Sequence, residues 1–377
     1  MSEFPVESIR ESVIREMTRL CGSGCINLSQ GYPDLDPPAE VLQEAIEAIE
    51  QGWNQYSVTW GLKELREAVA RYIKRYYSLS YDPEREITIT CGAAEGIFSS
   101  VVALCGQDDE VIFFEPYYEN YLPAILIAKA KPVPFPLEED FSFDPAKLGK
   151  AFSSRTRAII INTPNNPTGR VFSREELEFI ADLCQRHNCY IISDEIYHQI
   201  IYDGLEHTSP AQILPERTVL IHSLSKSYCL TGWRVGWAAA PAHLTAQIRK
   251  VHDYATVAAP TPFQKAAVKA LSLPDSYYQQ LRKDLQQKRD FILGVLKKAG
   301  FSPIKPSGAY YTLALFDGEQ DDWQLALRMI KEVGIAAVPG SSFFTGEGRG
   351  KKMLRFAFAK RWETLKEVAR RLEEFRL

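Results

Sequence analysis

The sequence predicts an α/β protein: a large domain with a mostly parallel sheet between helices, joined to a smaller α+β domain. Three observations lead there. Short continuous apolar runs alternate with helical patterns through the middle of the chain, as expected for strands buried on both faces of a parallel sheet. Gly92, Asn166, Asp194 and Lys226 stand at the ends of those runs, and open α/β sheets bind ligands beyond the carboxyl ends of their strands. After about residue 285 the texture changes to a long charged helical pattern followed by short strands. A chain of 377 residues is long enough for one large core and a smaller second one.

The elements follow in order. EITIT (86–90) is a strand, and GAAEGIFSSVVALC after it reads as a helix. DEVIFFEP (109–116) and KPVPFPL (131–137) are the next strands, followed by RAIIINTPNNPTG (157–169). The helical SREELEFIADLCQRH (173–187) separates that segment from CYIISDEIY (189–197), and TVLIHSLSK (218–226) completes the set. DSYYQQLRKDLQQKRDFILGVLKKAG then leads through GAYYTLALF, a further helix, IAAVPGSSFF and MLRFAFAK to a terminal helix of mixed charge. The expected division is 47–285 for the large domain, with 1–46 and 286–377 forming the small one.

Hydrophobic content of 45% with 24% charged residues is ordinary for a soluble globular protein. A formal charge of −4 and the lack of a long basic stripe argue against nucleic acid as a partner. The N-terminal MSEFPVESIRESVIREM has no apolar core of a secretory signal, and YLPAILIA (121–128) is far too short to span a membrane. A cytoplasmic protein without membrane contact is the expectation. Of the seven cysteines, Cys21 and Cys25 have the look of half a metal knuckle, but no second pair follows at ligand spacing. All seven are expected to be buried or half-buried free thiols. The histidines at 187, 198, 207, 222, 243 and 252 are scattered along the chain, so no metal site is expected.

Two glycine-rich stretches differ in context. GEGRGK (346–351) precedes a strand instead of opening a helix, which makes it a surface loop. ITCGAAEG has the order strand, Gly92, small residues, helix, so backbone N–H groups at the helix start form an anion site; a glycine there also simply turns the chain. Lys226, directly after an apolar strand, is costly to leave desolvated, and either snorkels to water or is covalently occupied. Ser223 lies three residues before it and Arg234 eight after, a hydroxyl and a guanidinium suited to a phosphate. A lysine that binds a carbonyl cofactor needs such an anchor close by. Asp194 ends the apolar YIIS and requires a cationic partner, for which a protonated pyridine nitrogen would serve. Asn166 and Tyr197 suit a phenolate oxygen, although singly each reads equally as a turn asparagine and a core tyrosine.

NTPNNPTG, SDEIY and SLSKSYCLTGWRVGW are the most specific parts of a wider pattern running from NLSQGYPDLDPP (27–38) to RFAFAK (355–360). Over nearly the whole chain this pattern resembles the class I aminotransferases among the fold-type-I pyridoxal-phosphate (PLP) enzymes. It is most similar to the branch with the kynurenine, glutamine and methionine-type transaminases and the prokaryotic aspartate aminotransferases. The resemblance implies that Lys226 carries PLP as the Schiff-base lysine and shuttles the substrate proton, with Asp194 and Tyr197 as its catalytic partners. It implies that the backbone of Gly92, Ala93 and Ala94 and the side chains of Ser223, Ser225 and Arg234 hold the phosphate. Tyr118 stacks on the pyridine ring, Asp194 keeps its nitrogen protonated, and Asn166 and Tyr197 bond its phenolate oxygen. Arg355 forks onto the substrate carboxylate, helped by Gly31 and Asn166. Tyr56 matches a residue that reaches the phosphate across a subunit interface, which implies a homodimer with shared active sites.

The activity so implied is ping-pong transfer of an α-amino group to a 2-oxo acid. The prokaryotic aspartate enzymes carry a lysine where this chain has Ala94, and the animal-type enzymes use an arginine from the loop matching DYATVAAPTPFQ (253–264), which has none. Without a second cation a dicarboxylate is poorly paired, so the expected donor is neutral: aliphatic, aromatic, methionine or glutamine-like, with Tyr32 and Trp60 as pocket walls. The same residues also serve a PLP-dependent C–S β-lyase, and an aspartate-type aminotransferase is the other alternative. A PLP-sensing transcription regulator would need a DNA-binding domain, for which the short N-terminal segment leaves no room.

Overall fold

The computed structural model describes residue 7 and residues 9–377. The opening MSEFPV and Ser8, part of the N-terminal stretch read above as polar and amphipathic, lie outside the described residues.

Strand β1 (Ile26–Asn27) comes first and stands apart from the main sheet. That sheet is built from β2 (Ile87–Thr90), β3 (Glu110–Glu115), β4 (Lys131–Pro136), β5 (Thr156–Asn162), β6 (Tyr190–Asp194), β7 (Thr218–Ser223) and β8 (Gly236–Ala239), in the order β2-β8-β7-β6-β5-β3-β4. Strands β3 to β7 pair in parallel, whereas β8 runs antiparallel to both β7 and β2. The apolar runs are continuous because alternate side chains enter different cores. Ile160 packs with Val111, Phe113, Ile192 and Val219 on one face, while Ile159 and Ile161 pack with Ile112, Phe114 and Ile191 on the other. Strand β4 has proline at 132, 134 and 136, which cannot donate to a ladder; it lies at the sheet edge with β3 as its sole neighbour in the sheet order.

The later strands are β9 (Ser302–Pro303), β10 (Tyr311–Leu315), β11 (Ile335–Ala336), β12 (Val338–Pro339) and β13 (Met353–Ala357). Four of them form an antiparallel sheet in the order β12-β13-β10-β9, and β11 pairs in parallel with β1. The N-terminal segment is thereby tied to the C-terminal part of the chain. Helix α1 (Val13–Leu20) starts at Ser12, whose hydroxyl accepts from the Arg15 N–H. Helices α2 (Ala39–Glu50), α3 (Lys63–Tyr77) and α4 (Ala93–Leu104) follow. The long helix Asp275–Lys298 runs unbroken through the expected boundary at 285. Among the described residues no helix is long and apolar enough to cross a membrane.

Two expectations need correction. Cys21 and Cys25 are joined in a disulfide, so they are not free thiols. The turn CGSGC folds the end of α1 back toward β1 and brings the two Cα atoms to 5.3 Å, within bridging reach. The other five cysteines are free and buried or half-buried. The histidines are not all scattered in space either. His198 and His222 share a hydrogen bond of 2.5 Å, His198 also bonds the Tyr72 hydroxyl at 2.9 Å, and the His207 ring lies 5.8 Å from that of His198. They form a packed polar cluster in the core, and no metal-binding group of His, Cys, Asp or Glu occurs among the described residues.

Candidate active site

Beyond the carboxyl ends of β5, β6 and β7 lies a cavity of about 370 Å³, closed on one side by residues 30–32 and by β10 and β13. The strand-end positions follow from the register: Asn162 pairs with Asp194, and Asp194 with Ile221, so the ends of three parallel strands lie side by side. Lys226 sits just past the end of β7, half-buried, with Nζ donating to the Gly31 carbonyl at 2.7 Å. Burial, and then the positive charges of Arg355 and Arg234, lower its pKa to about 7, against a smaller opposing pull from Asp194. Asp194 is fully buried, and burial pushes its carboxyl up to about 6. The Tyr121 hydroxyl donates to Oδ2 at 2.7 Å, but Oδ1 has no hydrogen-bond partner. An unpartnered buried carboxylate oxygen at a cavity wall is costly to maintain without a ligand.

The start of α4 forms a second part of the site. Its first N–H groups have no side-chain cap, and Gly92 before it has φ +79°, a conformation that favours glycine. A Cβ at Gly92 would come within 2.2 Å of the Arg234 guanidinium. Arg234 donates to the carbonyls of Thr231 (2.9 Å) and Cys91 (3.1 Å), which holds the guanidinium beside the helix N-terminus. Ser223 at the end of β7 pairs with Gly236 of β8, whose missing side chain lets it pack against Gly92 and the Ala93 nitrogen.

Arg355 lies in the middle of β13, between Leu313 of β10 and Val338 of β12. It is completely buried, donates to Asn166 Oδ1 at 2.8 Å and to the Ser29 carbonyl, and has its Nε free of any partner. Its guanidinium carbon stands 4.4 Å from the centre of the Tyr311 ring. The Tyr311 hydroxyl meets the Tyr197 hydroxyl at 2.9 Å and reaches the Gly31 carbonyl at 3.4 Å. Gly31 must be glycine here, since a Cβ would lie 2.1 Å from that hydroxyl. Asn162 completes the polar framework by accepting from the Asn166 N–H (2.7 Å) and donating to the Asp194 carbonyl (2.9 Å).

Of the residues singled out in the sequence, Gly31, Tyr32, Ala94, Tyr118, Asn166, Asp194, Tyr197, Lys226, Arg234 and Arg355 all line this cavity. Gly92, Ala93, Ser223 and Ser225 are not part of the lining; they adjoin it through Ala94, Arg234 and Lys226, their neighbours in sequence or contact. Tyr56 is 82% exposed and does not reach the cavity within one chain. Trp60 is not a pocket wall; its ring packs under the Arg249 guanidinium, 4.9 Å away. The expectation of no second cation is also overturned, because Arg15 of α1 lines the cavity. Arg15 and Tyr311 escaped sequence reading. Nothing local distinguishes Arg15 from any solvated helix arginine, and GAYYTLALF reads as a strand with either tyrosine in the core.

Comparison with known proteins agrees with this arrangement. Residues 23–372 match the family "Aminotransferase class I and II". The chain is 37% identical over 379 residues to a probable N-succinyldiaminopimelate aminotransferase, DapC, of Mycobacterium tuberculosis, covering 96% of this chain and 95% of that protein. The solved structure of the M. tuberculosis N-succinyldiaminopimelate aminotransferase superposes with a TM-score of 0.96 at 36% identity, covering 99% of this chain and 100% of that one. Mouse kynurenine–oxoglutarate transaminase 3 is 35% identical, over 96% of this chain and 87% of its own length. Escherichia coli YbdL, described with a methionine aminotransferase function, superposes with a TM-score of 0.94 at 33% identity, over the whole of both chains. With the family pattern spanning every strand and all of the cavity lining except Ser12, Ile14 and Arg15 of the N-terminal segment, the chain belongs to the class I and II aminotransferases, PLP-dependent enzymes of fold type I.

Proposed function

We propose that the cavity transfers the α-amino group of an amino acid to a 2-oxo acid by a ping-pong cycle centred on Lys226. The observation that carries this is the pairing, in one cavity, of an amine with a depressed pKa and a buried carboxylate whose Oδ1 lacks a donor. The residues present fit PLP. Asp194 Oδ1 suits a protonated ring nitrogen, Tyr118 suits the ring face, and the uncapped start of α4 with Arg234 and Ser223 suits the phosphate. Once bound, PLP supplies an electron sink for charge developing at the substrate Cα. The protein does the rest. Arg355 with Asn166 seats the α-carboxylate, Lys226 Nζ removes the Cα proton and returns it two atoms away, on the far side of the transferring nitrogen, and Tyr197 donates toward the phenolate oxygen.

The donor's side chain is neutral: aliphatic, aromatic, methionine or glutamine-like; Arg15, the further cation on the wall, is exposed, where an ion pair contributes little. Ala94 and Ile14 on the wall favour a neutral side chain, as does the lack of arginine in 253–264. The relatives described above are named for succinyldiaminopimelate, kynurenine and methionine, all with longer side chains than aspartate. We also propose a homodimer in which Tyr56 completes the partner's phosphate site. Leu42, Ile46 and Ile49 form an exposed stripe on α2, and Tyr56, Val58 and Tyr254 are likewise exposed; so much apolar surface fits a second copy. The division into domains 47–285 and 1–46 with 286–377 is part of the same proposal.

The test is the visible spectrum of the PLP-loaded protein after single amino acids are added without acceptor. Conversion to the pyridoxamine form by methionine, leucine or phenylalanine, far faster than by aspartate, is the expected result. A preference for aspartate by orders of magnitude would overturn the donor class. Release of ammonia and pyruvate from cystine without any acceptor would favour the C–S lyase.

A further inference from the structure

Beside the helix start that suits the phosphate lies a buried pair of titratable groups that the cycle around Lys226 does not use. Glu95 is the third residue of α4. Its Oε2 accepts from the Cys91 N–H at 3.0 Å, and its Oε1 accepts from the Ser99 hydroxyl. Neither bond caps Ala93 or Ala94, so the N–H groups that open the helix stay free while a carboxylate stands in the same turn. Unbalanced, that negative charge offsets the partial positive charge of the helix start and opposes an anion there.

His252 lies in the helix Ala242–Thr256 and is completely buried. Its Nδ1 meets Glu95 Oε2 at 3.1 Å, and its Nε2 meets the Thr59 carbonyl at 2.7 Å. The Thr256 hydroxyl, 3.3 Å from Nδ1, donates to the His252 carbonyl and so offers the ring only a lone pair. A carbonyl and a carboxylate can only accept, and a neutral imidazole has a single N–H. One nitrogen of a neutral ring would then face an acceptor lone pair to lone pair, out of reach of water. The imidazolium satisfies both partners. The Cys91 and Ser99 donors on Glu95 favour its ionised form, which leaves the shared proton on the ring. Burial lowers the pKa of His252, but the hydrogen bond and charge of Glu95, the Thr59 carbonyl and Asp253 together raise it above the ordinary histidine value. The nearby Cys91 thiol, pushed up by burial, adds no charge.

We propose that His252 is a positioning residue for the cofactor phosphate: as an imidazolium it balances the Glu95 carboxylate and leaves the start of α4 positive toward the anion. This rests on the aminotransferase reading only in naming PLP as the source of the phosphate. The same ring also holds Thr59, three residues after Tyr56, so the test separates its charge from that contact.

Cofactor-free protein is titrated with PLP and with pyridoxal, which lacks the phosphate. His252→Asn keeps a neutral N–H donor near the position of Nδ1 but removes the charge. It should weaken PLP binding about tenfold, the scale of one charge at a partly buried helix end, and pyridoxal binding by less than about twofold. Adding Glu95→Gln should restore most of the PLP affinity. Calorimetric titration with inorganic phosphate should show the same loss and the same recovery. In the wild type labelled with nitrogen-15 histidine, both ring nitrogens of His252 should carry protons at pH 7, and Glu95→Gln should remove one of them. Equal losses of PLP and pyridoxal in His252→Asn would mean a merely structural role and overturn the proposal. A neutral ring in the wild type would overturn it as well, and so would a loss that Glu95→Gln fails to recover, which would trace the effect to Thr59. Phosphate binding that weakens in His252→Asn and recovers with Glu95→Gln, in a protein that captures neither aldehyde, would support the ion pair and overturn the transaminase reading instead.

Discussion

The depressed pKa of Lys226 makes a quantitative prediction about how the cofactor-free protein captures PLP. An aldehyde reacts with a neutral amine, and the amine of Lys226 has a pKa of about 7 because burial and the flanking Arg355 and Arg234 disfavour its protonated form. About half of it is then neutral at pH 7, against about 0.04% of an ordinary lysine of pKa about 10.4. The assay is stopped-flow absorbance of PLP mixed with the cofactor-free protein, with N-α-acetyl-lysine as a reference; taking the ratio of the two rate constants cancels the titration of PLP itself. Because Lys226 saturates above pH 8 while the reference amine keeps gaining tenfold per unit, the ratio should fall roughly 50-fold between pH 7 and pH 9. A ratio independent of pH over that range would mean that Lys226 titrates like a solvated lysine. The electrostatic account of the site would then be wrong.

Three further outcomes are expected. Gly31→Ala places a Cβ 2.1 Å from the Tyr311 hydroxyl, so it should weaken binding of substrate carboxylates and cost about 1–3 kcal/mol in stability by overpacking; adding Tyr311→Phe should recover part of both, as read by thermal melts and inhibitor titration. In the cofactor-free protein Asp194 has its carboxyl raised from 3.8 to about 6. The folded state therefore holds more protons between pH 4 and pH 6, and stability should fall across that window by about 3 kcal/mol as pH rises; Asp194→Asn should abolish the fall, and melts of the two proteins at pH 4 and pH 7 check it. Arg289, fully buried in the helix Asp275–Lys298, forks onto Asp203 at 2.7 and 3.0 Å and donates to the Pro306 carbonyl; because Asp203 is exposed and keeps Lys305 at 2.9 Å, Arg289→Ala should destabilise the protein by about 2 kcal/mol in urea denaturation, through the lost fork and packing.

How much could be read in advance depended on the range of the interactions involved. Strands β3, β5, β6 and β7 are continuous apolar runs because both faces of the sheet are covered, a demand each strand meets with its own residues. Strand β8 escaped notice, since GWAA is short and its antiparallel place between β2 and β7 is a matter of topology. The bridge between Cys21 and Cys25 escaped for a similar reason: only the fold of the turn between α1 and β1 brings the sulfurs together.

The candidate site divides along the same line. The sequence by itself determined which residues stand at strand ends, and so brought Asp194, Asn166 and Lys226 into view, because a side chain's position along a strand is local information. Only the tertiary structure decided what surrounds them. Tyr311 and Gly31 meet across some 280 residues, close enough that one leaves no room for a Cβ on the other. Arg15 enters the cavity because the pairing of β1 with β11 anchors the N-terminal segment just after α1. Burial, charge separation and cavity shape belong to no single segment of the chain, and they set the proton affinity of Lys226.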